Sequence, residues 1–211
     1  MNVKNQRFKY LILAIGIVCT LFFVRLCDIH AYTYKYGMIA VGHKELPVEK
    51  NGRRIRFNHP YELTEDVIAK VLSNIHFKEK GLFKRKKTLN VFQENEVKQL
   101  APLIEHAFSV ATPAQVVTVS SYFERLLLTD RHNYCVLFME GRNLNVVFSH
   151  VHKFHTYNDI MSEKKRYYYT TLENPVKKRR SGFWKLVPST GQQLEPGHEN
   201  WLVIDLSREI L

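Results

Sequence analysis

Three histidines crowd one short stretch, in Ser149-His150-Val151-His152-Lys153-Phe154-His155. On an extended strand, residues two apart share a face. His150 and His152 would then point the same way, and His155 folds back as a third imidazole. Such a set suits zinc or copper and would make the chain a metal-dependent enzyme. Against it, no fourth ligand or recognised metal motif accompanies the run, and Lys153 adds a positive charge. The chain also holds ten histidines, so a local group is unsurprising. A solvated strand end accounts for the same residues, and no cofactor is expected.

The second pattern is charge. The chain carries 31 Lys and Arg against 20 Asp and Glu, a formal net charge of +11. Much of the excess is clustered. Lys84, Arg85, Lys86 and Lys87 form one run, Lys164-Lys165-Arg166 a second, and Lys177, Lys178, Arg179 and Arg180 a third. The first and third runs are read as contacts for an anionic surface, either lipid head groups or an acidic polymer. Basic loops beside Tyr167-Tyr168-Tyr169 also fit single-stranded nucleic acid, but the export signal described below argues against that partner. Charged loops that simply stay solvated are the plain alternative.

Nucleophile chemistry has little support. There is no G-x-S-x-G elbow, no H-E-x-x-H, no C-x-x-C and no P-loop. Cys135 follows His132 by three residues but sits in a strand pattern, which reads as a small buried thiol. Glu65-Asp66 and Glu94 with Glu96 fall where helix starts favour acids. His198-Glu199-Asn200 reads as a polar loop.

The N-terminus supplies an address. Lys4, Arg7 and Lys9 precede fifteen uncharged residues, 10–24, and Arg25 and Asp28 close the run. A basic lead before an apolar stretch marks a signal anchor or a cleaved signal. Cys27 lacks the small preceding residue that a lipid-attachment site requires. With Cys19 and Cys27 in or beside this run, only Cys135 belongs to the body, which therefore holds no internal disulfide. No N-x-Ser/Thr sequon occurs, in keeping with a bacterial envelope. The expected organisation is a signal anchor over 1–31, a connector with a possible hairpin over 32–58, and an extracytoplasmic domain over 59–211. The charge asymmetry places that domain outside the inner membrane on a single span; the alternative is a cleaved, periplasmic protein.

The elements that must hold these groups are legible from periodicity. Thr64 caps a first helix whose apolar face is Val67, Ile68, Val71, Leu72 and Ile75. A second helix starts near Gln93 or Glu94 and buries Val97, Leu100, Ala101, Ile104, Ala107 and Phe108. Pro102 predicts a kink or a later start, and Pro113 ends the element. Strands are expected over 116–123, 134–140, 144–149, 167–172, 183–187 and 201–206, with Gly141-Arg142-Asn143 turning a hairpin. The 134–140 arm is apolar on both faces, as a central strand would be; the 144–149 arm has one buried and one wet side. The soft regions are 78–87, 150–165 and 189–200. The class is α+β, with two helices packed on one antiparallel sheet.

The order of landmarks carries a resemblance. They are an export signal, His59-Pro60 before a helix, a Phe92-led second helix ending in Ala111-Thr112-Pro113, the Gly141-Arg142-Asn143-Leu144-Asn145 turn and a late Trp201-Leu202-Val203. Over 47–206 the chain resembles a group of exported or lipoprotein-type envelope proteins of bacteria. The resemblance implies an envelope location and an α+β body, and brings no activity or catalytic residue with it. The functional expectation is a non-enzymatic, membrane-anchored module that contacts an envelope protein or an anionic lipid or polymer. The alternatives are an exported metal-dependent enzyme built on the histidines and a periplasmic binder of apolar ligands.

Overall fold

A computed structural model describes residues 29–34, 37–50, 53–81, 87–125, 129–156 and 174–207. The chain divides into two units, Met1–His30 and Ala31–Leu211. The apolar run read as an anchor lies outside the described residues. Among the described residues, no helix is long and apolar enough to cross a membrane.

Among the described residues, two α-helices form where capping and periodicity place them. In α1 (Glu65–Ser73) the Thr64 hydroxyl accepts the Val67 N–H, Glu65 and Asp66 occupy the positive first turn, and Ile68, Val71 and Leu72 are buried. Ile75 lies past the helix end and is buried all the same. In α2 (Glu94–Val110) the Glu96 carboxylate reaches back to accept the Gln93 N–H at 2.8 Å. The helix runs through Pro102, so the later start does not occur. Pro102 and Lys98 are both exposed, so the proline falls on the solvent side of the helix, where the loss of its hydrogen bond to the Lys98 carbonyl costs least. The last turn of α2 is tied to the body. His43 Nε2–H donates to the Ala107 carbonyl at 2.8 Å, and the Tyr61 N–H to the Phe108 carbonyl at 3.1 Å.

The strands are β1 (Ile29–Tyr34), β2 (Gly37–Glu45), β3 (Glu49–Lys50), β4 (Arg53–Arg54), β5 (His76–Glu79), β6 (Leu89–Asn90), β7 (Gln115–Arg125), β8 (Thr129–Glu140), β9 (Asn143–Thr156), β10 (Trp184–Val187), β11 (Gln192–Leu194) and β12 (Trp201–Asp205). They make three sheets rather than one. The main sheet has the order β1-β2-β7-β8-β9-β12-β11, β10-β5-β6 forms a second, and β3 and β4 pair as a short hairpin within 32–58, whose second strand ends at Arg54. The doubly apolar arm, β8, is the fourth strand of seven.

Both faces of the main sheet are covered. α1 and α2 pack on each other, α2 lies over β2 and β7, and the larger core fills the space with Val117, Val119, Leu137, Phe148, Leu202 and Ile204 from the sheet. On the opposite face Val136, Phe138, Val147, Trp201 and Val203 meet Leu46, Val48 and Phe57. The wet side expected for residues 144–149 is therefore absent. Asn145 and Val147 are both fully buried, and Asn145 Oδ1 accepts the Trp201 indole N–H at 2.9 Å.

The regions expected to be soft also gain order. β5 ends at Glu79, β11 lies within 189–200, and β9 continues to Thr156. The strand expected over 167–172 lies outside the described residues.

Candidate functional site

β8 and β9 leave their shared turn in register, from Glu140↔Asn143 onward. Further along, the pairing slips twice: Cys135 faces Phe148 but Tyr134 faces His150, which leaves Ser149 over, and His132 then faces Lys153. Asn133 thus stands opposite two residues, Val151 and His152, which is a β-bulge. His152 takes the extra bend with φ at 48°, in the left-handed region that a non-glycine residue rarely enters.

Side chains hold the bulge shut. Asn133 Oδ1 accepts the His152 N–H at 2.9 Å, while Asn133 Nδ2 donates to the Val91 carbonyl at 3.2 Å and the Ser121 hydroxyl at 3.4 Å. His152 Nε2 lies 2.8 Å from the same Val91 carbonyl, and Arg131 Nη1 donates to His152 Nδ1 at 3.0 Å. A carbonyl only accepts and a guanidinium only donates, so the tautomer is fixed with its hydrogen on Nε2. The edge of the ring pair is completed by Phe77, 4.6 Å from His152 between centroids.

The bulge undoes the two-residue spacing on which the metal reading relied. The His150 ring packs 5.5 Å from His132, whereas His152 reaches Val91 and Phe77 on the helix side. His152 has both ring nitrogens committed to protein groups. The side chain of His155 lies outside the described residues. Among the described residues, no three His, Cys, Asp or Glu are grouped to hold a metal ion.

What the bulged end of β9 does build is a groove of about 440 Å³. Phe77, Val151 and Trp184 give it apolar walls, and Glu79 and Ser181 also line it. Phe77 and Trp184 come from the paired strands β5 and β10, where Trp184 faces Glu79 and Phe77 faces Leu186. Trp184, the first residue of β10, is buried, while Phe183 just ahead of the strand is 77% exposed. Across the groove Phe154 is 58% exposed, with the Arg131 guanidinium 4.8 Å above its ring.

Two sequence patterns read separately meet here. His150, His152 and Lys153 line the groove from β9, and Lys178 lines it from the third basic run. That run is anchored from both sides. Lys178 Nζ donates to the Ser149 carbonyl at 2.7 Å, and the Arg179 carbonyl accepts the Glu199 N–H at 2.8 Å. Lys80 Nζ bridges the Ser181 carbonyl and the Glu199 carboxylate. Asn200 Nδ2 donates to the Phe148 and Pro175 carbonyls. The loop-like His198-Glu199-Asn200 is in fact the knot that ties this segment to β9. Lys177, Arg179 and Arg180 are exposed beside the groove. Lys87 is exposed ahead of β6 and is not a groove residue. Lys84, Arg85 and Lys86, and the run at 164–166, lie outside the described residues.

Sequence reasoning passed over Phe77, Phe154, Phe183 and Trp184. The one signal available was Phe183-Trp184 directly after a basic run, an aromatic pair at the edge of a charged patch.

Among the described residues, Ser120, His132, Cys135 and Glu96 are buried away from solvent. The Ser120 hydroxyl lies 2.9 Å from His132 Nε2, yet both residues are buried, so the pair offers no nucleophile to a substrate. Cys135 is buried and burial pushes its thiol far up, which makes it inert. Glu96 is buried against the Gln93 N–H, and burial raises its carboxyl above the usual range. Comparison with family models, curated proteins and solved structures found no match to this chain.

Proposed function

We propose that the protein is a non-enzymatic module, held in a bacterial inner membrane by its N-terminal apolar run, whose extracytoplasmic body contacts an anionic membrane surface through the β9 groove. One observation carries this reading: Phe154 and Phe183 stand exposed on either side of a groove lined by Lys153 and Lys178, with Lys177, Arg179 and Arg180 exposed alongside. Large exposed apolar side chains beside a basic cluster suit an interfacial contact. Rings enter the head-group boundary while each nearby Lys or Arg adds roughly 1 kcal/mol on an anionic surface. An enzyme built on the histidines is the weaker reading, because His152 would have to abandon both of its ring contacts.

The test is hydrogen exchange on the full chain in nanodiscs of phosphatidylglycerol or phosphatidylcholine. Exchange over 150–154 and 177–184 slows in phosphatidylglycerol, and the difference fades as salt shortens the reach of the charges. Equal rates in the two lipids overturn the reading.

A further inference from the structure

Resting on that reading, we propose that the groove receives one acyl chain of an anionic lipid, whose head group is held by Lys153 and Lys178. A merely electrostatic contact needs a basic face and nothing hollow. This face instead has a cleft of about 440 Å³, within the range of roughly 300–1,000 Å³ usual for small-ligand sites. Its walls are Phe77, Val151 and Trp184, and its lips are Phe154 and Phe183. Such a lining favours hydrocarbon over a hydrophilic polymer.

The polar groups near the walls serve the protein rather than a guest. His152 spends its ring on Val91 and Arg131, and Arg131 lies over Phe154. The hydrogen bonds of Asn133 and His152 fix the bulged wall before any guest arrives, and a wall ordered in advance lowers the ordering cost of binding. Charge then selects the head. Lys153 is exposed, and Lys178 is fixed at the groove by its bond to the Ser149 carbonyl. Glu79, the one carboxylate lining the groove among the described residues, disfavours an anion on the β5 side. The head group therefore sits on the β9 side, with the chain lying along the wall that Phe77, Val151 and Trp184 form.

Trp184 makes the proposal measurable. The chain has two tryptophans, and Trp201 is buried in the second core. The full chain is placed in phosphatidylcholine nanodiscs doped with a minor fraction of lipid carrying brominated acyl chains, with Trp184→Phe as the blank. Brominated phosphatidylglycerol quenches the Trp184 emission roughly five-fold more effectively than brominated phosphatidylcholine at equal fraction, about the selectivity of one added lysine contact. Lys153→Glu, a change at an exposed position, lowers that preference; adding Lys178→Glu abolishes what is left. Equal quenching by the two lipids, or none by either, overturns the proposal. If quenching fails while exchange over 177–184 still slows in phosphatidylglycerol, the acyl site falls and the surface contact stands. If both fail, both fall.

Discussion

His152 concentrates the strain of the site in one residue. Its left-handed backbone costs about 1–2 kcal/mol for a side chain with a Cβ, and its ring and N–H return more than that through Val91, Arg131 and Asn133. The two contributions separate by substitution. His152→Ala keeps the strain and loses the ring contacts, so it destabilises by about 2–3 kcal/mol. His152→Gly loses the same contacts but relieves the backbone, so in urea unfolding it comes out about 1 kcal/mol more stable than the alanine variant. An alanine variant equal to or better than glycine would show that the bulge carries no such strain.

Two buried titratable groups, His59 and Glu96, contribute to the pH response with opposite signs. Burial, with a smaller push from His43, lowers His59 from 6.5 to about 4. The unfolded chain takes a proton that the folded imidazole refuses. This stability is complete above pH 6.5 and is lost as pH falls from 6.5 toward 4, by about 2–3 kcal/mol. Glu96 has the opposite sign. Its raised folded value favours folding below 4.5 and is lost as pH rises through that value. In His59→Gln the amide oxygen still accepts the Met139 N–H that His59 Nε2 accepts at 3.0 Å. That variant flattens the stability loss between pH 6.5 and 4, read by urea midpoints across that range; an unchanged slope would exclude His59 as its cause.

Among the elements, α2 shows how a sequence rule is overridden without being broken. Pro102 denies Lys98 its helical hydrogen bond, but on the exposed side that loss costs least. Pro102→Ala restores the bond and raises stability by about 1 kcal/mol, less than the interior penalty of proline because the existing turn is already accommodated. A destabilised variant would mean that the proline ring is itself packed.

The same contrast explains what was legible. Thr64, Gln93, Glu96 and the apolar faces of both helices are local signals, and each appears where periodicity places it. Gly141, with φ at 61° at the first central position of a two-residue turn, is equally local. The second small sheet is only partly local: β6 meets His76 and Phe77 from nearby in the chain, but the whole of His76–Glu79 pairs with Trp184–Val187, over a hundred residues away. The bulge is hidden for a related reason. Residues 149–155 spell a regular strand, and it is Asn133, on the neighbouring strand, that draws two residues opposite itself. The histidines and the third basic run were each visible; their meeting at one groove depended on contacts that no local pattern encodes.

At the scale of the whole molecule, a seven-stranded sheet buried on both faces leaves few apolar side chains to spare. Among the described residues, the exposed large hydrophobic side chains are Val110, Phe154 and Phe183, and two of the three flank the groove. Scattered exposed apolar residues are ordinary, but a pair across a basic cleft is a surface arranged for contact. A second hollow of similar volume, between Leu46, Phe57 and Pro113, carries Arg54 and Arg56 but lacks exposed aromatic lips. The most direct measurement is photo-cross-linking of the full chain in nanodiscs that contain an anionic lipid with a photoactivatable chain, followed by mass-spectrometric mapping. The account predicts adducts on 150–154 and 177–184 in addition to the N-terminal run. Adducts confined to residues 1–30 would contradict it.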